Sequence, residues 1–192
     1  MRTLLVTALC TALGVTAFAL DIGKPSPAFP IHRLGGRPDL QLSQYRGKVV
    51  AFALIDTECP HCQHLTGLLN DIAKEYAGKG VQIVACAFND GAAQRLPLFI
   101  QKFQPSFPIG YSSHDPVMAY LSYSALRPLY VPHMVFLDRK GIVRADILGE
   151  SDFMKDPETN VRKELNELLG APPAQSKAKK GATTASTAPS HP

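Results

Sequence analysis

The feature that most constrains this chain is a junction. Seven consecutive apolar residues, Val49-Val50-Ala51-Phe52-Ala53-Leu54-Ile55, run through Asp56-Thr57-Glu58 into Cys59-Pro60-His61-Cys62, and a helical pattern follows at once. A run of that length and composition suits a strand buried on both faces. After the second cysteine, Leu65, Leu68, Leu69, Ile72, Ala73 and Tyr76 recur at helical spacing and form one apolar face. Gly78 and Gly80 stop that helix. Residues 81–88 are apolar and β-branched and end in Asn89-Asp90-Gly91, a turn signal. Strand, helix and strand in that order make a βαβ unit with parallel strands.

The rest of the chain can be placed around this unit. Residues 23–47 are rich in Pro and Gly, and two short strands around Ile31 and Leu40 are expected to form a hairpin. Pro97 reads as the start of a helix to Phe103. Asp115-Pro116 reads as an N-cap followed by a first helical residue, with the helix running through Tyr120. Residues 135–137 and 142–148 are expected strands joined by the turn Asp138-Arg139-Lys140-Gly141, an antiparallel hairpin. Asp156-Pro157 opens a last helix whose inner face is Val161, Leu165, Leu168 and Leu169, with Gly170 at its end. The expected class is α/β, a mixed central sheet flanked by helices on both faces, with an N-terminal β-hairpin extension.

The chain ends divide it into three parts. Arg2, the apolar run 4–15 and the small-x-small triplet Ala17-Phe18-Ala19 read as an export signal over residues 1–19, cleaved near Ala19. Left uncleaved, the same segment would act as an anchor. Residues 20–170 form one domain. Residues 171–192 are mostly Ala, Pro, Ser, Thr and Lys, a composition that cannot offset the entropy of ordering, and are expected to be disordered. Arg2 and the tail lysines Lys177, Lys179 and Lys180 account for the net charge of +4, leaving a neutral body. Nothing in that balance argues for nucleic-acid binding. The protein is expected outside the cytoplasm, in the periplasm if the cell is Gram-negative.

Export also bears on the cysteines. With Cys10 inside the signal, Cys59, Cys62 and Cys86 remain, an odd number in a chain large enough to fold without a disulfide framework. The close pair therefore reads as reactive. Two intervening residues let the first turn of a helix bring both sulfurs into bonding range. Cys59 would sit at the helix N-terminus, where unpaired N–H groups and the positive end of the dipole favour a thiolate. Cys62 would sit one turn in, more shielded. Cys59 is thus the expected nucleophile and Cys62 the expected resolving thiol. A structural zinc site needs four ligands, and no second pair completes one, so no metal is expected. Cys86 reads as a small buried hydrophobe in a central strand, and His64 as an exposed helix residue.

From Gly23 to Leu169 the chain resembles the thioredoxin superfamily, specifically its exported TlpA/ResA-like branch with an AhpC/TSA-redoxin-like domain. Besides the CxxC, the likeness rests on Leu42-Ser43-Gln44-Tyr45-Arg46-Gly47-Lys48-Val49-Val50, on Phe107-Pro108, and on Val131-Pro132 ahead of Val135-Phe136-Leu137-Asp138-Arg139-Lys140-Gly141. The resemblance implies a thioredoxin-like fold and thiol–disulfide oxidoreductase activity needing no cofactor beyond the Cys59–Cys62 pair. It implies that Pro132 is the family's cis-proline and that Val131 and Pro132 face the CxxC and pair with bound substrate. It further implies exported client proteins and a thiol redox partner, membrane-associated in one version, and a monomer.

Three features depart from that pattern. Relatives have a Trp close before the first cysteine, whereas Thr57 and Glu58 stand here. Glu58 would oppose a thiolate at Cys59 or take part in proton transfer, or serve only as a solvated carboxylate. The inner dipeptide Pro60-His61 matches exported oxidants resembling DsbA, and a charged His61 would stabilise a thiolate and make the disulfide more oxidising. The stretch between Phe88 and Pro132 is nevertheless too short for the helical insertion of those oxidants. Two other readings compete. A peroxiredoxin-like peroxidase would have Thr and Pro where Asp56 and Phe52 stand, and would need an Arg for which Arg127 is the candidate. A Sco-like copper carrier would space its cysteines by three residues and would need a distant His, with His133 as the candidate.

Overall fold

The computed structural model describes residues 20–123 and 128–170; the expected signal, the expected tail and Arg127 lie outside them. The apolar run forms β3 (Val49–Ile55), preceded by β1 (Pro30–Ile31) and β2 (Leu40–Gln41). Then follow α1 (Pro60–Glu75), β4 (Val81–Ala87), α2 (Ala92–Phe103), β5 (Ile109–Tyr111), α3 (His114–Leu121), β6 (His133–Leu137), β7 (Val143–Ile147) and α4 (Pro157–Gly170). The main sheet has the order β5-β4-β3-β6-β7. Strands β3, β4 and β5 run parallel, while β6 is antiparallel to β3 and β7 to β6.

All seven residues of β3 are buried, as its position at the middle of the sheet demands. Successive side chains point to opposite faces. Val49, Ala51, Ala53 and Ile55 pack with Leu65, Leu69 and Ile72 of α1, Leu96 and Phe99 of α2, and Val161 and Leu165 of α4. Val50, Phe52 and Leu54 pack on the other face with Phe29, Ile31, Val117 and Tyr120. Each large side chain buried in this way contributes roughly 1.5–3 kcal/mol.

The N-terminal hairpin is present, but each of its strands is two residues long. The rest of that segment works as a strap across the second face. Gly23 donates its backbone N–H to the Val143 carbonyl at 2.8 Å, and the Val143 N–H donates to the Lys24 carbonyl at 2.9 Å, along the outer edge of β7. Farther on, His32 and Tyr111 exchange backbone hydrogen bonds of 2.8 and 2.9 Å along the outer edge of β5. Gly110 permits that approach, because a Cβ there would meet the His32 carbonyl oxygen and would lie 2.6 Å from Ile31 Cγ2.

Strand β6 begins two residues earlier than expected and β7 is one residue shorter at each end, and three other elements differ from expectation. Helix α2 starts five residues before Pro97. The chain enters it through Gly91 in a left-handed conformation (φ 70°), with the Arg95 N–H donating to the Gly91 carbonyl at 3.1 Å. Pro97 lies on the exposed side one turn in, where water can reach the carbonyl its ring leaves unpaired. Helix α3 begins at His114 with Ser113 as its N-cap, so Asp115 and Pro116 fall inside its first turn. Strand β5 was not expected, because three residues with a central glycine carry little strand signal.

Candidate active site

The site follows from strand direction. Because β6 is antiparallel to β3 and pairs His133 with Leu54, the chain entering β6 meets the chain leaving β3. Residues 131–132 thereby come beside residues 56–59. The Val131–Pro132 peptide bond is cis. Cys59 is the N-cap of α1, and Pro60 takes the first helical position, where its missing N–H costs nothing. The partly exposed Cys59 thiol lies 3.9 Å from the Val131 carbonyl oxygen. Both cysteines are free thiols.

Cys62, one turn along, is fully buried against Leu65 and the β3 core. Its sulfur accepts the Asp56 backbone N–H at 3.4 Å. Burial pushes the Cys62 thiol well above the ordinary range; the Asp56 N–H works against that shift, while nearby Cys59 and the Asp56 carboxylate add to it. The two sulfurs therefore have different surroundings: one open to a partner, the other shielded and protonated. Cys86 is also fully buried, on the opposite face of the sheet, and burial alone pushes its thiol up.

The remaining expected site residues fall as follows. Pro60 and His61 are exposed at the start of α1. Glu58 is exposed and is not simply solvated, since its carboxylate pairs with Arg95 at 3.1 Å. Val131 is half-buried and Pro132 buried. A groove of about 440 Å³ runs beside them, lined by His61, His64, Leu65, Tyr130 and Met154 among others. Gly149 supports its floor, for a Cβ there would lie 2.5 Å from the Tyr130 carbonyl oxygen and 3.0 Å from that of Pro132.

His133 does not join the cysteines. Met134 and Phe136 pack on the α1 face, so alternation sends His133 to the other face. There it is fully buried, with its Nε2 2.6 Å from Asp146 Oδ1. Among the described residues, no group of three or more His, Cys, Asp or Glu side chains could hold a metal ion, and no helix is long and apolar enough to cross a membrane.

Sequence reasoning passed over Arg95, Gln63 and Asn89. Gln63 Nε2 donates to the Thr57 carbonyl at 3.0 Å, and Asn89 Oδ1 accepts the Thr57 N–H at 3.0 Å. Asn89 follows β4 directly, and in the sequence it was visible only as part of a turn.

The AhpC/TSA family model matches residues 22–146. This chain belongs to the AhpC/TSA family. Within the family it is similar to the thiol-disulfide oxidoreductase ResA of Geobacillus thermodenitrificans (strain NG80-2), with 29% identity over 157 residues, 78% of this chain and 86% of that protein. It is 27% identical to the protein of the same name from Geobacillus kaustophilus (strain HTA426), across 78% of this chain and 86% of that one. Among solved structures it is similar to a thiol:disulfide interchange protein of the thioredoxin family from Chlorobium tepidum TLS, with a TM-score of 0.62, 20% identity and coverage of 77% and 97% of the two chains. That likeness speaks to the fold, which is thioredoxin-like. This AhpC/TSA member is a thiol–disulfide oxidoreductase.

Proposed function

We propose that Cys59 and Cys62 carry out dithiol–disulfide exchange with exported proteins, Cys59 as nucleophile and Cys62 as resolving thiol. The observation that carries this reading is the contrast between the two sulfurs: Cys59 half-exposed at a helix N-terminus under the cis-proline loop, Cys62 buried one turn in. The Cys59 thiolate attacks one sulfur of a client disulfide. The client S–S bond breaks, a Cys59–client disulfide forms, and the second client sulfur leaves and takes a proton from water. Cys62 then gives its proton to solvent and attacks the Cys59 sulfur. The client departs as a dithiol carrying two added electrons, and the pair ends as a disulfide. Run backwards from the oxidised pair, the same steps install a disulfide in the client.

Val131 and Pro132 are the groups against which a client backbone would lie, and the groove beside them takes the residues flanking the client cysteine. A thiol redox partner returns the pair to its working state. His61, exposed beside Cys59, favours the oxidising direction when protonated. The copper-carrier reading loses its histidine ligand to the far face of the sheet. The peroxidase reading predicts consumption of peroxide at Cys59 in proportion to protein.

The test is Cys62→Ser expressed in cells of the source organism. The variant retains the first attack and lacks the second, so clients accumulate as mixed disulfides on Cys59 and disappear on reduction. Recovery of none, while Cys59 still reacts with small disulfides, would overturn the client reading.

A further inference from the structure

We propose that Asn89 is a positioning residue for the resolving step, holding the loop between β3 and α1 so that the Asp56 amide stays on the Cys62 sulfur. The inference rests on the reading of Cys62 as the resolving thiol. Thr57 sits in the middle of that loop and is nevertheless 5% exposed. Every polar group it has is engaged. Its N–H donates to Asn89 Oδ1 at 3.0 Å, its hydroxyl accepts from Asn89 Nδ2 at 3.0 Å, and its carbonyl accepts from Gln63 Nε2 at 3.0 Å. Asn89 is itself fixed, because its carbonyl accepts the Ala92 N–H at 2.9 Å where α2 begins, and the preceding Phe88 N–H donates to the Ile55 carbonyl at 3.1 Å.

The consequence falls on the neighbouring residue. Asp56 lies between Ile55, pinned in the sheet, and Thr57, pinned by Asn89. That two-sided anchorage aims the Asp56 N–H at Cys62 Sγ, 3.4 Å away. The Glu58 N–H, donating to Asp56 Oδ1 at 2.7 Å, closes the turn. A buried sulfur has few ways to carry charge, and among the described residues this amide works against the cost of desolvation. Cys59 touches this loop only through its backbone N–H, donated to the Asp56 carbonyl at 3.4 Å, while its thiol meets the start of α1 and the Val131 carbonyl. Releasing the loop should therefore slow the second step and spare the first.

The size of the effect follows from thiol chemistry. Losing a hydrogen bond to an ionised group lowers the thiolate population roughly tenfold or more. The more basic thiolate is a better nucleophile, with a Brønsted coefficient of about 0.4–0.5, and this returns nearly half of the loss on a logarithmic scale. The net slowing of resolution is about threefold to tenfold.

The experiment uses the full-length protein in rapid-quench single turnovers with a peptide disulfide. It follows formation and decay of the mixed disulfide between about pH 6 and pH 9 for wild type, Asn89→Ala, Thr57→Val and Thr57→Ser. Asn89→Ala should form the mixed disulfide within about twofold of the wild-type rate and resolve it about threefold to tenfold more slowly, with the resolution profile displaced to higher pH. Thr57→Val, which loses only the hydroxyl contact, should move the same way by less, and Thr57→Ser should restore wild-type behaviour. The titratable groups facing Cys62, namely Cys59 and Asp56, are the same in all four proteins. Equal slowing of both steps, or an unchanged resolution profile in Thr57→Val and Asn89→Ala, overturns the proposal. If Asn89→Ala does not fold, the Thr57 pair decides alone. Failure of the parent reading looks different, because wild type itself would then form no mixed disulfide.

Discussion

The burial of Cys62 sets how the reduction potential must change with pH. Reducing the disulfide adds two electrons and as many protons as the resulting thiols retain. Burial holds the Cys62 thiol protonated far into the alkaline range. At least one proton therefore enters with the electrons at every pH up to about 10, whatever Cys59 does. One proton per two electrons corresponds to about 30 mV per pH unit, and two protons to about 60. The potential should fall by at least about 90 mV between pH 7 and pH 10. An ordinary thiol near pKa 8.5 would let the slope die away above about pH 9.5. The measurement equilibrates the protein with dithiothreitol or glutathione buffers at each pH, quenches with acid, and counts alkylated thiols by mass. Cys86→Ala removes the third thiol of the described residues from the count. A potential that is flat between pH 9.5 and pH 10.5 would refute the claim that Cys62 is shielded in the dithiol form.

Three further substitutions probe the groove, the exposed side of α1 and the β6–β7 turn. Gly149→Ala should force the Tyr130–Pro132 backbone away, costing about 1–3 kcal/mol by overpacking and lowering insulin reduction severalfold. Gly67→Ala, in open space on the exposed side of α1, should leave activity intact and raise the melting temperature slightly. Asp138 is pushed up by burial but pulled down further by the N–H groups of Ile142 and Lys140 and by Arg144, so it lies below the usual carboxylate range. Its contribution is complete above about pH 4 and is lost as pH falls through the lower folded value. Asp138→Asn should destabilise the protein at pH 7, and the gap to wild type should shrink towards pH 2 in denaturant titrations.

The fold was legible where the chain repeats a period. Val49–Ile55 suited a buried strand, and the spacing of Leu65, Leu69 and Ile72 matched one helix face, and both elements formed. Elements that depend on partners were not. Strand β5 owes its existence to pairing with β4 on one side and His32 on the other, which no local pattern announces. Pro97 misled because proline favours a helix start, yet on an exposed face it is tolerated one turn in. At the site, the CxxC motif announced the sulfurs. Asn89 and Gln63 act through hydrogen bonds to a backbone far away in sequence or around a turn, and Arg95 meets Glu58 only after α2 has folded back. His133 lies next to Pro132 in sequence, but strand alternation turned it to the far side.

The strap fastens the beginning of the chain to its last strand. Gly23 and Lys24, among the first described residues to be synthesised, find their hydrogen-bond partners only when Val143 exists. A nascent chain on the ribosome or passing through a pore can assemble the β3–α1–β4 unit early and close the β5 border against His32, yet the opposite border stays open until β7 has emerged. Truncation before β7 should thus leave a sticky intermediate with one unguarded margin, the free edge of β6, and completion of the chain is what seals it.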